Sequence, residues 1–290
     1  HNSLAGFALE EISLGRFRVQ LGGRLENNRY SPSGRSSRSF TGLSGSAGMN
    51  AALWKGGAFI AAYTRAYRAP SVEELYNYGP HHGNLAFEIG YANLSRECAD
   101  GAELGLRHRA ERLHAQASVF YYRLRDYVYL APTGELHDGM VVAAYRQADS
   151  RYMGGEADLQ LGFHRNLWLD LGFDVVDAEL RSTRMPLPRI PPLRGRLGVD
   201  ARLGNFSFHP ELVLVNAQKQ VYAQETPTAG YAAVNATASY TVVRGRGLHI
   251  VSLSMFNAGN RLYRNHASLI KEIAPEIGRA VRVGYTVRFF

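Results

Sequence analysis

A single cysteine, Cys98, in 290 residues leaves no partner for an internal disulfide. It reads as an ordinary loop residue rather than a reactive thiol. No stretch approaches the roughly 18 consecutive apolar residues of a membrane-crossing helix, and mean hydropathy is only −0.23. That excludes a helical membrane protein but not a membrane β-barrel, in which every second residue faces a polar lumen. A phosphate-binding loop and a dinucleotide fingerprint are also missing. The nearest approach to a nucleophile elbow, Gly42-Leu43-Ser44-Gly45-Ser46, has the wrong spacing and no strand–turn–helix context. Enzymatic chemistry and a resident cofactor are therefore not expected. The net charge of +8 would suit nucleic acid, yet the arginines lie singly among aliphatics with no basic cluster, so nucleic acid is not an expected partner. The chain opens at His1 without a signal-peptide pattern, and any such segment would lie upstream.

What is present is alternation. With 46% hydrophobic and 20% charged residues the chain is not disordered, and its 17 Tyr and 13 Phe favour strands and interfacial aromatic girdles. In the terminal run Arg279 to Phe290, Val281, Val283, Tyr285, Val287 and Phe289 alternate with Arg282, Gly284, Thr286 and Arg288. A two-residue period puts the first set on one face of a strand and the second on the other. The same period recurs over Arg16 to Glu26, Glu156 to Phe163 and Leu167 to Val175.

Roughly thirteen such segments are expected, of a length that suits a tilted bilayer crossing. Tight links near residues 14, 56, 111, 165, 204 and 245 alternate with long loops near 35, 80, 138, 186, 223 and 267. Short turns on one side and long loops on the other are the layout of an outer-membrane barrel. The long segments include an irregular one over about Tyr67 to Arg96, a loop over about Arg125 to Tyr152 and the proline cluster Pro186 to Pro192. No amphipathic helix is expected. Asp158, Asp170, Asp174, Asp200, Glu103 and Glu156 would be costly in hydrocarbon, so alternation should turn them to the lumen.

The run Tyr63-Thr64-Arg65-Ala66-Tyr67-Arg68-Ala69-Pro70-Ser71-Val72-Glu73-Glu74-Leu75-Tyr76, followed by Gly79-Pro80-His81, resembles TonB-dependent outer-membrane receptors. So do Phe87 to Gly90, Glu103 to Leu106, Leu187 to Pro192, Glu225-Thr226-Pro227 and Asn257 to Tyr263. Tyr263-Arg264-Asn265-His266, with Ala274-Pro275 and Gly278-Arg279, is similar to the zinc- and haem-receptor branch called ZnuD-like. The resemblance implies an all-β fold, a transmembrane antiparallel β-barrel of about 22 strands with a plugged lumen. Residues 1–290 would form one partial barrel domain, its C-terminal portion, without the N-terminal plug. It further implies the outer membrane of a Gram-negative bacterium, with the long loops outside. Implied partners are the TonB energy-transducing complex acting through the plug, the barrel-assembly machinery, and outer-membrane lipid and lipopolysaccharide. The family's terminal Phe aligns with Phe289, leaving Phe290 as an extra residue, and its Asn-rich stretch is replaced by Cys98-Ala99-Asp100-Gly101.

The expected role is capture and import of a scarce metal or metal complex: zinc first, then haem or a ferric siderophore. A passive porin is the main alternative and an outer-membrane hydrolase a more distant one. Imidazoles suit zinc when three or four donors converge at about 2.0–2.2 Å. Of the ten histidines, His81, His82, His137 and His266 fall in long loops and are substrate-binding candidates. His81 and His266 lie in family-like motifs and are the metal candidates. Glu88 and Asp138 could complete a site, and Tyr76 or Tyr78 could stack on haem or ligate its iron. His108, His114, His164, His209 and His249 lie near the short turns and read as structural.

Overall fold

A computed structural model describes residues 1–290. Its strands are β1 (Asn2–Leu14), β2 (Phe17–Tyr30), β3 (Arg38–Trp54), β4 (Gly57–Arg68), β5 (Tyr78–His81), β6 (Ala86–Ile89), β7 (Glu97–Arg109) and β8 (Leu113–His137). There follow β9 (Met140–His164), β10 (Leu167–Leu180), β11 (Arg194–Leu203), β12 (Phe206–Val215), β13 (Tyr231–Arg244), β14 (Gly247–Phe256) and β15 (Ala280–Phe289). All fifteen belong to one sheet, and thirteen follow one another across it in chain order. Only β5 and β6 leave that path: they pair with each other, and β6 runs parallel to β9. The expected antiparallel sheet of thirteen strands is therefore observed.

The short links form one rim. Gly204 and Gly245 open two-residue connections with φ of 59° and 61°, a backbone region glycine enters without steric cost and tight hairpins require. All the long connections meet at the opposite rim.

Register fixes which residues share a face. Leu159, Leu171, Leu197, Leu212 and Val234 are successive partners across β9 to β13. Leu171, Leu197 and Val234 are still 38%, 42% and 45% exposed, because nothing in the chain covers this face. Towards the turn rim it ends in Phe163, Phe206, Tyr240 and Tyr285, and towards the loop rim in Tyr63, Tyr121 and Phe173. From Met153 to Phe163 along one strand, a rise of about 3.3 Å per residue and a tilt near 45° give a band about 25 Å tall. A band of that height matches the lipid-facing belt of a transmembrane barrel.

The other face is polar. His114, Gln160, Asp170, Gly198, Glu211 and Asn235 are neighbours across β8 to β13. The acidic residues expected in the lumen lie here with partners: Asp174 with Arg194 (2.8 Å), Asp158 with Arg196 (3.0 Å), Asp200 with Arg202 (2.7 Å). Glu103 accepts from the Tyr122 hydroxyl and Glu156 from Ser118 at 3.2 Å, while Asp170 stands 3.9 Å from His209.

Two expectations need correction. Residues 125–152 are not a loop: β8 and β9 continue for 25 residues each as a hairpin well beyond the belt. Asp138-Gly139, with φ of 50° and 80°, forms its tip, the residue pair a type I′ turn demands. Register shifts after Leu124 and Pro132 obscure the period, which is why alternation failed to reveal it. The segment after β4 also holds one helical turn, α1 (Val72–Tyr76).

Candidate functional site

The RAPSVEELY motif is a built cap for the loop between β4 and β7. Ser71 closes a capping box: its hydroxyl accepts from the Glu74 amide at 3.2 Å, and its own amide donates to the Glu74 carboxylate at 2.7 Å. Arg68 donates to Glu74 at 2.8 Å and to Glu97, tying the turn to the start of β7. Leu75, 1% exposed, packs with Tyr30, Phe40, Leu94 and Val128. The motif therefore positions the segment that carries Tyr76, Tyr78, His81, His82 and Glu88.

Two adjoining cavities lie at the loop rim over the polar face. One, of about 370 Å³, is lined by His81, Asn84, Glu88, Tyr127, Tyr129, Tyr145, Tyr152 and Arg189, among others. The second, of about 240 Å³, shares Asn84, Leu130, Pro188, Arg189 and Leu269 with the first and adds Leu85, Leu136, Val141, Glu225, Lys271 and Ile273. The mix is aliphatic and aromatic with a few convergent polar groups, which suits a ligand far larger than a bare ion. Tyr127 and Tyr129 sit two residues apart on one face, stacked at 6.3 Å, and the Tyr152 hydroxyl donates to that of Tyr127 at 2.9 Å. Burial, reinforced by Glu88, raises the pKa of the Tyr145 phenol, and burial beside Tyr222 raises that of Tyr129. Both stay protonated at neutral pH; the Tyr145 hydroxyl donates to Glu88 at 3.1 Å, so it meets a cargo with its oxygen as an acceptor.

Glu225 joins three loops. Its carboxylate accepts from Lys271 Nζ at 2.6 Å, from the Arg189 amide at 2.9 and 3.2 Å, and from the Tyr222 amide at 3.3 Å. His266 Nε2 lies 3.4 Å away, and His266 Nδ1 pairs with the Thr228 hydroxyl at 3.0 Å. Burial alone would raise the carboxyl pKa, but the His266 and Lys271 contacts outweigh it and hold it down to about 2. The three family-like motifs around Arg189, Glu225 and His266 thus converge on a single ion cluster that holds the loops together.

The candidate residues are spread among different tasks. His81 is exposed and lines the larger cavity. Glu88 is buried and accepts from Asn77 (3.3 Å), Asn84 and Tyr145 (3.1 Å). His137 packs on Phe87 at 4.1 Å and lies 3.7 Å from Asp138, while Tyr78 meets Phe87 edge-on at 5.1 Å. Tyr76 lies under the Arg35 guanidinium at 5.1 Å, and His82 is exposed. His266 is 2% exposed with both ring nitrogens engaged. His81 and His266, the metal candidates, belong to no group of three or more His, Cys, Asp or Glu side chains placed to hold a metal ion. Sequence reading missed Tyr127, Tyr129, Tyr145, Tyr152, Arg189, Glu225 and Lys271; the Asp138-Gly139 turn would have revealed the hairpin that brings four of them together.

A sequence profile described as TonB dependent receptor-like, beta-barrel matches residues 1–259. The chain belongs to the TonB-dependent receptor β-barrel family. The receptor fold recurs in solved structures. The copper transporter OprC superposes with a TM-score of 0.82 at 20% identity, over 96% of this chain and 48% of that one. The FrpB iron transporter from Neisseria meningitidis (F3-3 variant) gives 0.74 at 16% identity, over 98% and 44%. The ferric-catecholate import receptor Fiu from E. coli K12 gives 0.70 at 17% identity, over 99% and 44%. The receptor chain described here therefore spans less than half the length of each.

Proposed function

We propose that this receptor lies in the outer membrane of a Gram-negative bacterium, captures a scarce metal carried in a complex, and imports it with energy from the TonB complex. The observation that carries the reading is the tyrosine-lined cavity at the loop rim, held by a wall that belongs to the TonB-dependent receptor family. Relatives of the same fold are a copper transporter, an iron transporter and a ferric-catecholate import receptor, which favours metal cargo. Haem or a ferric siderophore fits the cavity chemistry better than bare zinc, the cargo favoured from sequence. Zinc needs several converging N/O donors, whereas His266 is committed to the loop cluster and Glu88 to three neutral donors. His81, Tyr129 and Tyr145 are the residues we assign to the cargo.

A passive porin remains the second reading, because a polar lumen wall is common to both. Uptake of labelled cargo by cells separates them. An energised receptor loses uptake when the proton gradient is collapsed or the TonB complex removed, whereas persistence of uptake would establish a porin.

A further inference from the structure

The two adjoining cavities at the loop rim have walls of different chemistry. The larger presents Tyr127, Tyr129, Tyr145 and Tyr152, whereas no aromatic ring lines the smaller. Its aliphatic side chains come from three segments: Leu85 before β6, Leu130, Leu136 and Val141 on the β8–β9 hairpin, and Leu269 and Ile273 between β14 and β15. All but Leu130 are 42% to 71% exposed. Single exposed aliphatics are ordinary, but five gathered around one cavity form an unfilled apolar surface. The polar groups beside them are engaged already. Lys271 pairs with Glu225 at 2.6 Å, Asn84 bonds Glu88 and the Ala86 amide, Glu272 accepts from Thr226, and Arg189 donates to the Leu130 carbonyl at 3.3 Å. An occupant therefore meets mainly hydrocarbon. Three loops also hold a non-glycine residue in the left-handed region at this wall: Leu85, Arg189 and Gln224, with φ of 53°, 62° and 66°. Strain of that kind gathers at ligand clamps.

We propose that the smaller cavity takes the aliphatic arm of an amphiphilic metal complex whose chelating head sits among the tyrosines. The cavities share Asn84, Leu130, Pro188, Arg189 and Leu269, so one molecule can fill both. A cavity of about 150 Å³ accommodates benzene, and in proportion the 240 Å³ here holds about eight or nine carbons. A free alkyl chain of that size would lose much of its burial gain to the entropy of association, whereas an arm tethered to a bound head does not. The inference rests on the capture of a metal complex proposed above, and narrows its class to chelates that carry a short acyl or alkyl chain.

The test titrates the receptor in phosphatidylcholine nanodiscs with a ferric catecholate chelate bearing N-acyl chains of graded length, from about two to about twelve carbons, with concentrations corrected for uptake by empty nanodiscs. Kd should fall by about fourfold per added methylene and level off beyond about eight or nine carbons. Val141→Trp, which fills the cavity, and Ile273→Asp, which places a charge at its exposed wall, should each flatten that gain. His81→Ala/Tyr129→Ala should instead weaken every member by a common factor and keep the slope. Octanoate, which lacks the head, should not displace the chelates. A Kd independent of chain length, a gain that continues without levelling, an unchanged slope in both cavity variants, or displacement by octanoate would each overturn the arm site. Failure of every member to bind, the shortest included, would instead overturn the capture of a metal complex, and the arm site with it.

Discussion

Replacing Glu225 by Gln should release the loop rim while leaving the barrel wall intact. The Glu225 and Lys271 side chains are only 5% and 6% exposed. Removing the carboxylate charge leaves the Lys271 ammonium buried without its counter-ion, a loss of about 3–5 kcal/mol for a buried pair. The carboxyl's folded pKa gives an independent figure. Lowering it from the ordinary carboxyl value of 4.5 to about 2 corresponds to about 3 kcal/mol. Because the folded pKa is depressed, this stabilisation is fully present above about pH 4.5 and is lost as the pH falls towards 2. The readout is amide hydrogen exchange, corrected for the intrinsic pH dependence. The Arg189 and Tyr222 amides, which donate to Glu225, should lose about two to four orders of magnitude of protection in Glu225→Gln. In the wild type they should lose protection progressively below pH 4.5, and the amide of Leu197 in β11 should change in neither experiment. If Arg189 exchanges equally in variant and wild type, the cluster does not hold the loops.

Three further perturbations probe other levels of the structure. Leu197→Arg places a cation in the middle of the belt and should destabilise the folded protein in lipid by about 2–4 kcal/mol in denaturant titration, whereas Arg123→Leu at the rim should change it by under about 1 kcal/mol; equal effects would mean that the belt is misplaced. Gly42→Ala sets a methyl about where the Tyr67 ring lies, 1.9 Å from its Cγ, so Tyr67 must leave the cluster formed by Tyr30, Phe40, Leu75 and Leu94. A cost of about 1–3 kcal/mol follows, seen as a lower Tm, and an unchanged Tm would refute the contact. Ser71→Ala removes the α1 cap at a cost of about 1 kcal/mol, and should raise exchange at the Glu74 amide without touching Arg189.

The wall was legible because a two-residue period survives wherever one face meets lipid and the other water. Leu167 to Val175 and Arg279 to Phe290 announce both faces without any tertiary information. The rim was less legible, since beyond the belt neither face has a uniform environment. The β8–β9 hairpin carries two bulges there, and its tyrosines are buried by loops that sequence order keeps far away. His266 shows the limit most clearly. Residue type and motif offered it as a ligand, and only the positions of Glu225, Thr228 and Lys271 show that it holds loops instead.

The most direct test of the proposed capture site is a binding titration of the purified protein with haem, a ferric catecholate siderophore and zinc chloride in parallel, repeated on a His81→Ala/Tyr129→Ala variant. One of the metal complexes should bind with submicromolar Kd, the variant should bind it at least about tenfold more weakly, and zinc alone should bind neither form tightly. Tight zinc binding to the wild type, or a complex that binds the variant as well as the wild type, would contradict a tyrosine-lined cavity built for a metal complex.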